Sequence, residues 1–185
     1  MRLMSSLSCM AVVLLAAGAA AQDVAIGPRV RAADNEAREL LAMGEQDSPT
    51  LRQLLVELEN SDLIVLVSVE PPAPFGQATA RNFHGSTRLL AAAAGQRYLA
   101  IWLDSRWRPG ARQRPRVVSL LAHELQHALE VAQNPDVVDQ GGMMTLFGRI
   151  GRELCAQQFE TDAALAVQSR VFNELSAVVR LREAR

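Results

Sequence analysis

Three side chains within five residues carry the chemistry that this chain can offer: His123, Glu124 and His127, in the run His123-Glu124-Leu125-Gln126-His127. On a helix turning roughly 100° per residue, two histidines four apart leave the same face one turn from each other, so both rings can close on a single cation. Glu124 is offset by about 100° and can reach a metal-bound water without being a ligand itself. Two neutral imidazoles that hold zinc while leaving a position open, with a carboxylate to take a proton from water, are the parts of zinc-assisted hydrolysis. The chain has three histidines, and two of them fall in this run.

The surrounding residues bear on how the motif is held. Pro115 suits the opening of a helix, and Arg116 to Ala132 continues it. Val117, Val118, Leu120, Leu121, Leu125, Leu129 and Val131 cover nearly every side of that helix, which marks it as buried. Histidine and glutamate inside such a helix need partners, because burying a polar group unpaired costs roughly 2–7 kcal/mol.

The motif, flanked by uncharged Leu120-Leu121-Ala122 and Ala128-Leu129, resembles the signature of the zincin metallopeptidases, HExxH on a helix with a preceding sheet. At the level of architecture the resemblance spans roughly Arg88 to Leu175. It implies zinc as the cofactor, a peptide or protein as the substrate, and Glu124 as the group that takes the proton from water and passes it to the leaving amine. In the glutamate branch of these enzymes the third ligand comes from a later helix, and Gln157 to Leu175 reads as that helix here. Glu160 shares its apolar stripe with Ala163, Ala164, Val167 and Val171, which makes Glu160 the expected third ligand. Glu153 lies seven residues earlier on the same stripe if the helix extends back that far, and is the rival. Asp162 points roughly 200° from Glu160 and is expected to be exposed or to support another group. Where that branch has Asp four residues after the ligand Glu, this chain has Ala164, so support for a histidine ring must come from elsewhere. The resemblance also implies an edge strand that aligns an extended substrate, with Arg97 to Leu103 or a neighbour in its sheet as the template. A second expectation keeps the metal and drops catalysis, leaving a zinc-binding or partner-binding module descended from a peptidase. An intact Glu124 favours the enzyme.

Several elements must position these residues. Asp34 to Glu45 reads as a short amphipathic helix with Ala37, Leu40 and Leu41 on one side. Ser48-Pro49 is a cap followed by proline at the first helical position, and Leu51, Leu54, Leu55 and Leu58 carry a second helix to Asn60. Leu63 to Val69 is a β-branched apolar run ended by Pro71, Pro72 and Pro74, as suits a buried strand and a rigid turn. Ala78 to Phe83 and Arg88 to Ala93 are strand-like, and Gly95-Gln96 turns the chain into a hairpin with Arg97 to Leu103. Arg106 to Pro115 reads as a solvated basic loop. Glu153 to Phe159, containing Cys155, looks helical, with Cys155 as a small buried hydrophobe. Gly141-Gly142-Met143-Met144 reads as a loop, with a lid over the cleft as the alternative. His84 reads as a loop or strand-end histidine, with stabilising an oxyanion or completing a His-only zinc site as its alternatives, and Tyr98 reads as packing, with donation to an oxyanion as the lesser alternative. The expected architecture is α+β, zincin-like in what the resemblance implies: one domain over 22–185, with a small antiparallel or mixed sheet packed on the motif helix and a C-terminal ligand helix.

The chain of 185 residues, 49% hydrophobic and 21% charged, suits one domain. Its 19 basic and 20 acidic residues leave a net charge of −1, without the cationic field that nucleic-acid or anionic-membrane binding would need. Residues 1–21 read as an export signal: Met1-Arg2 as a positive start, Met10 to Ala20 as an apolar run too short to span a bilayer, and Ala19-Ala20-Ala21 as a cleavage site. The expectation is therefore a secreted or periplasmic protein without a stable membrane anchor. Cys9 precedes the apolar run and leaves with it, so Cys155 has no partner for an intramolecular bridge.

Overall fold

A computed structural model describes residues 28–69, 85–104, 113–155 and 158–184. The expected export signal, the prolines after Val69, the strand Ala78 to Phe83, His84 and most of the basic loop lie outside them.

The architecture is α+β, built on one core. Val30–Ala32 (β1) leads into Asn35–Asp47 (α1) and Pro49–Glu59 (α2), two helices that return the chain to Leu63–Ser68 (β2), parallel to β1. Asp34 caps α1 by accepting from the Ala37 N–H at 2.7 Å, and Ser48 caps α2 by accepting from that of Leu51 at 3.1 Å. Both helices follow the expected spacing, with Ala37, Leu40, Leu51, Leu54 and Leu58 buried.

Gly85–Ala93 (β3) and Gln96–Leu103 (β4) form the expected antiparallel hairpin, and β4 also runs parallel to β2. The turn is Ala94-Gly95, one residue earlier than the spacing suggested, with φ of 52° and 74°. Two successive positive φ values match the right-handed twist of the flanking strands. Among the described strands the sheet order is β1-β2-β4-β3, so β4 lies in the interior and β3 at an edge of these four. This excludes Arg97 to Leu103 as the substrate-aligning strand, because both of its edges are already paired, and leaves its neighbour β3.

Arg114–Ala132 (α3) packs on the sheet, with Val118, Leu121, Leu125 and Ala128 in the same core as Val65, Leu99 and Ile101. Its C-terminal end is closed by an arginine on β4. The buried Arg97 guanidinium donates to the carbonyls of Val131, Ala132, Asn134 and Val137 at 2.9–3.2 Å, and to both carboxylate oxygens of Asp62 at 2.7 Å. The orphan carbonyls of a helix end thus find a charged partner in the sheet.

Gln140–Ile150 (α4) follows, where a glycine-containing loop was expected. Asp139 caps it, accepting from the Gly142 N–H at 2.7 Å, and Met143, Leu146 and Phe147 are buried. Capping and burial outweigh the cost of the three glycines Gly141, Gly142 and Gly148 in this helix, about 1 kcal/mol each. Arg152–Cys155 (β5) and Gln158–Glu160 (β6) form a second, two-stranded sheet, which corrects the helical reading of Glu153 to Phe159. Asp162–Glu183 (α5) completes the described chain and packs against α3. Its Glu174 accepts from the hydroxyls of Ser48 and Thr50, tying α5 to the start of α2. Among the described residues no helix is long and apolar enough to cross a membrane.

Candidate metal centre

The motif helix places His123, Glu124 and His127 where four-residue spacing on a buried helix requires: all three side chains are buried. The two imidazoles meet edge to face, with centroids 4.7 Å apart and planes at 87°, and their Nε2 atoms stand 3.1 Å from each other. Phe147 of α4 packs edge-on against the His127 ring.

Glu160 joins them. Its Oε1 lies 3.4 Å from His123 Nε2, and one donor atom each from His123, His127 and Glu160 falls within 4.8 Å of the others. The residue is not on a helix, however. It ends β6, and Thr161 caps α5 in extended conformation (φ −110°, ψ 146°), accepting from the Ala164 N–H at 3.1 Å. The apolar stripe that selected Glu160 therefore begins only after it. Thr161 followed by acidic Asp162 was the sign of a helix start at this position. Glu153, the rival, is exposed on β5 and outside the three-residue cluster. Asp162 is exposed and pairs with Arg152 at 3.2 Å.

The electrostatics of the cluster are mutual. Burial disfavours the charged His123 ring, but the hydrogen bond that it gives to Glu160 and the charge of Glu124 outweigh it, so the ring protonates above its ordinary range. Burial likewise pushes the Glu160 carboxyl up, and His123 outweighs it and holds the group below the usual carboxylate range. Among the described residues, His123 Nδ1 and Glu160 Oε2 are buried without a hydrogen-bond partner. The donor set of two imidazole nitrogens and a carboxylate suits zinc. Ligand atoms about 2.0–2.1 Å from a tetrahedral zinc stand roughly 3.3 Å apart. Two of the three separations here, His123 to His127 and His123 to Glu160, are 3.1 and 3.4 Å, and all three fall within 4.8 Å.

The support that Ala164 cannot give His127 comes from the motif helix itself. His127 Nδ1 lies 2.9 Å from Glu130 Oε2, and Glu130 Oε1 accepts from the Thr161 hydroxyl at 2.6 Å. A carboxylate on Nδ1 places the ring hydrogen there and turns an unprotonated Nε2 toward the cluster, the arrangement that metal-binding histidines use. Neither Glu130 nor Thr161 stood out in the sequence, although a glutamate three residues after His127 on an otherwise apolar helix was a readable signal.

Glu124 sits beside the cluster without belonging to it. Its Oε2 accepts from the Thr87 hydroxyl of β3 at 2.7 Å. A Cβ at Gly85 would stand 2.6 Å from its Oε1, so only glycine lets the strand approach so closely. Both carboxylate oxygens thus meet the edge strand. The side chains open on a cleft of about 630 Å³ lined by β3, α3, α4 and the β5–β6 hairpin, including Met143, Met144, Leu154 and Phe159. Tyr98 is not part of it. Arg97 points toward α3, so its strand neighbour Tyr98 faces the other side of the sheet, where its hydroxyl bonds Gln96 at 3.3 Å.

Comparison with protein-family models, with curated proteins and with solved structures finds no match to this chain.

Proposed function

We propose that this chain is an exported zinc-dependent hydrolase that cleaves peptide bonds in a peptide or protein substrate. The observation that carries the reading is a division of labour among buried polar groups: His123, His127 and Glu160 converge as a donor set. Glu124 is held beside them by Thr87, outside the set, facing the same cleft. A site that only stores metal has no use for that second, unliganded carboxylate.

When bound, zinc supplies Lewis-acid polarisation of water and of the scissile carbonyl. The rest belongs to the protein. Glu124 takes the proton from the attacking water and delivers it to the departing amine. Glu130 keeps the His127 ring in the tautomer that leaves Nε2 free. β3 offers its edge to an extended chain beside Glu124. The Leu89 N–H already bonds the Gln140 side chain at 3.1 Å, away from β4, so by strand alternation the backbone polar groups of Gly85 and Thr87 face outward too.

The test compares the purified chain with Glu124→Gln, assaying unfolded casein and a peptide library after zinc loading. The substitution keeps size and hydrogen bonding and removes the base, so metal content and stability should hold while hydrolysis falls by roughly 10²- to 10⁴-fold. A wild-type chain that holds zinc and cleaves nothing in either format would replace this reading with the binding module. Equal activity in wild type and variant would refute Glu124 as the base.

A further inference from the structure

The donor set comes from two parts of the chain, α3 and the β6–α5 junction, and one hydroxyl stands where they meet. Thr161 follows Glu160 directly. Its Oγ1 accepts from the Ala164 N–H at 3.1 Å and lies 2.6 Å from Glu130 Oε1. The acceptor side of the hydroxyl is taken by the helix N–H, so its single hydrogen is the one shared with Glu130. Glu130 gives its other oxygen to His127 Nδ1 at 2.9 Å. Thr161 and Glu130 are both buried, so neither bond competes freely with water.

We propose that Thr161 is a positioning residue that sets the two halves of the donor set against each other. Through Glu130 it fixes the rotation and tautomer of His127, and as the cap of α5 it fixes the backbone that presents Glu160. Without its hydrogen, Glu130 keeps one fixed partner and can swing about its terminal torsion, and the His127 ring moves with it. The role rests on the reading of His123, His127 and Glu160 as metal ligands. It predicts that loss of one hydroxyl, on a residue that is not a ligand, loosens the metal.

Zinc affinity by competition with a chromophoric chelator, together with the visible spectrum of the cobalt-substituted chain, tests this on the full chain. Thr161→Ser keeps donor and cap and should bind within about threefold of wild type. Thr161→Val should weaken binding by about 10- to 100-fold and shift the cobalt bands. Thr161→Asp keeps a good cap oxygen and sets a second carboxylate on Glu130 where the donor was, so it should fold and also lose affinity if the valine variant does not fold. In a Glu130→Ala background, Thr161→Val should cost clearly less than it does in the wild type, because the path through Glu130 is already cut and only the cap remains to be lost. Wild-type affinity and spectrum in Thr161→Val, or an undiminished loss in the Glu130→Ala background, would overturn the role and reduce Thr161 to a helix cap. A wild-type chain that takes up neither metal would overturn the metal-site reading itself, a result distinct from either of these.

Discussion

The Thr87 hydroxyl stands 2.7 Å from Glu124 Oε2, binding the edge strand of the sheet to the carboxylate of the motif helix. Gly85, on the same strand, leaves the space that the other oxygen occupies. Gly85→Ala puts a methyl group into that space and must displace Glu124, and Thr87→Val removes its donor. Neither touches the donor set. Both variants should retain zinc while losing about 10- to 100-fold in kcat, as misplacement of a catalytic group by about 1 Å does. Side-by-side metal content and steady-state kinetics check this, and full activity in Gly85→Ala would show that Glu124 need not sit where it does.

The two glutamates weighed for the third ligand are separated by geometry. Glu160 Oε1 lies 3.4 Å from His123 Nε2, whereas Glu153 is exposed outside the cluster. Glu160→Ala should weaken zinc binding by orders of magnitude, and Glu153→Ala should leave it near normal. A zinc-competition titration that returned the opposite ranking would give the ligand role to Glu153.

Local signals made much of this fold legible. The caps at Asp34 and Ser48 and the leucine spacing from Leu51 to Leu58 specify α1 and α2 within a residue or two, since capping and periodicity depend only on near neighbours. His123, Glu124 and His127 were legible for the same reason. Glu160, which does stand beside the two histidines, was singled out by the wrong route: its strand is defined by pairing with Arg152, and an apolar stripe beginning at Ala163 extends by eye across the cap at Thr161. The α4 helix was hidden by Gly141 and Gly142, whose cost is outweighed only by burial of Met143, Leu146 and Phe147. That β4 is central and β3 at the edge depends on the parallel pairing of β2 with β4, a contact between distant segments that no local pattern announces.

Arg97 and Asp62 tie the end of α3 to the sheet and make the fold acid-sensitive. The hydrogen bonds from Arg97 hold the Asp62 carboxyl below its ordinary range. A carboxyl whose pKa is lower in the folded chain binds fewer protons there than in the unfolded chain. Its stabilisation is therefore complete above the unfolded value, about 3.9, and is lost as pH falls through the folded value. Asp62→Asn should flatten the acid limb of the stability curve below about pH 4. Arg97→Leu, which strips the helix-end carbonyls of their donor, should cost roughly 3 kcal/mol at neutral pH. Urea denaturation across pH measures both, and an unchanged acid limb in Asp62→Asn would contradict the pairing.

Ala94 adopts φ 52° in the β3–β4 turn, a conformation costly for a residue with a Cβ and easier for asparagine or glycine. Ala94→Asn should stabilise the chain by about 0.5–1 kcal/mol without altering zinc affinity. Chemical denaturation reads the gain, and a destabilised variant would show that the turn is held by something other than its dihedral preferences.

Zinc held by His123, His127 and Glu160, with a position left open for water, is the arrangement on which the proposed chemistry depends. X-ray absorption at the zinc edge of the reconstituted chain tests it, since one spectrum reports both the metal and its ligands. The expected spectrum shows about one zinc per chain, a shell of nitrogen and oxygen at about 2.0–2.1 Å, outer scattering from two imidazoles, and no sulfur. Absence of zinc, a sulfur ligand, or a shell without two imidazoles would contradict it.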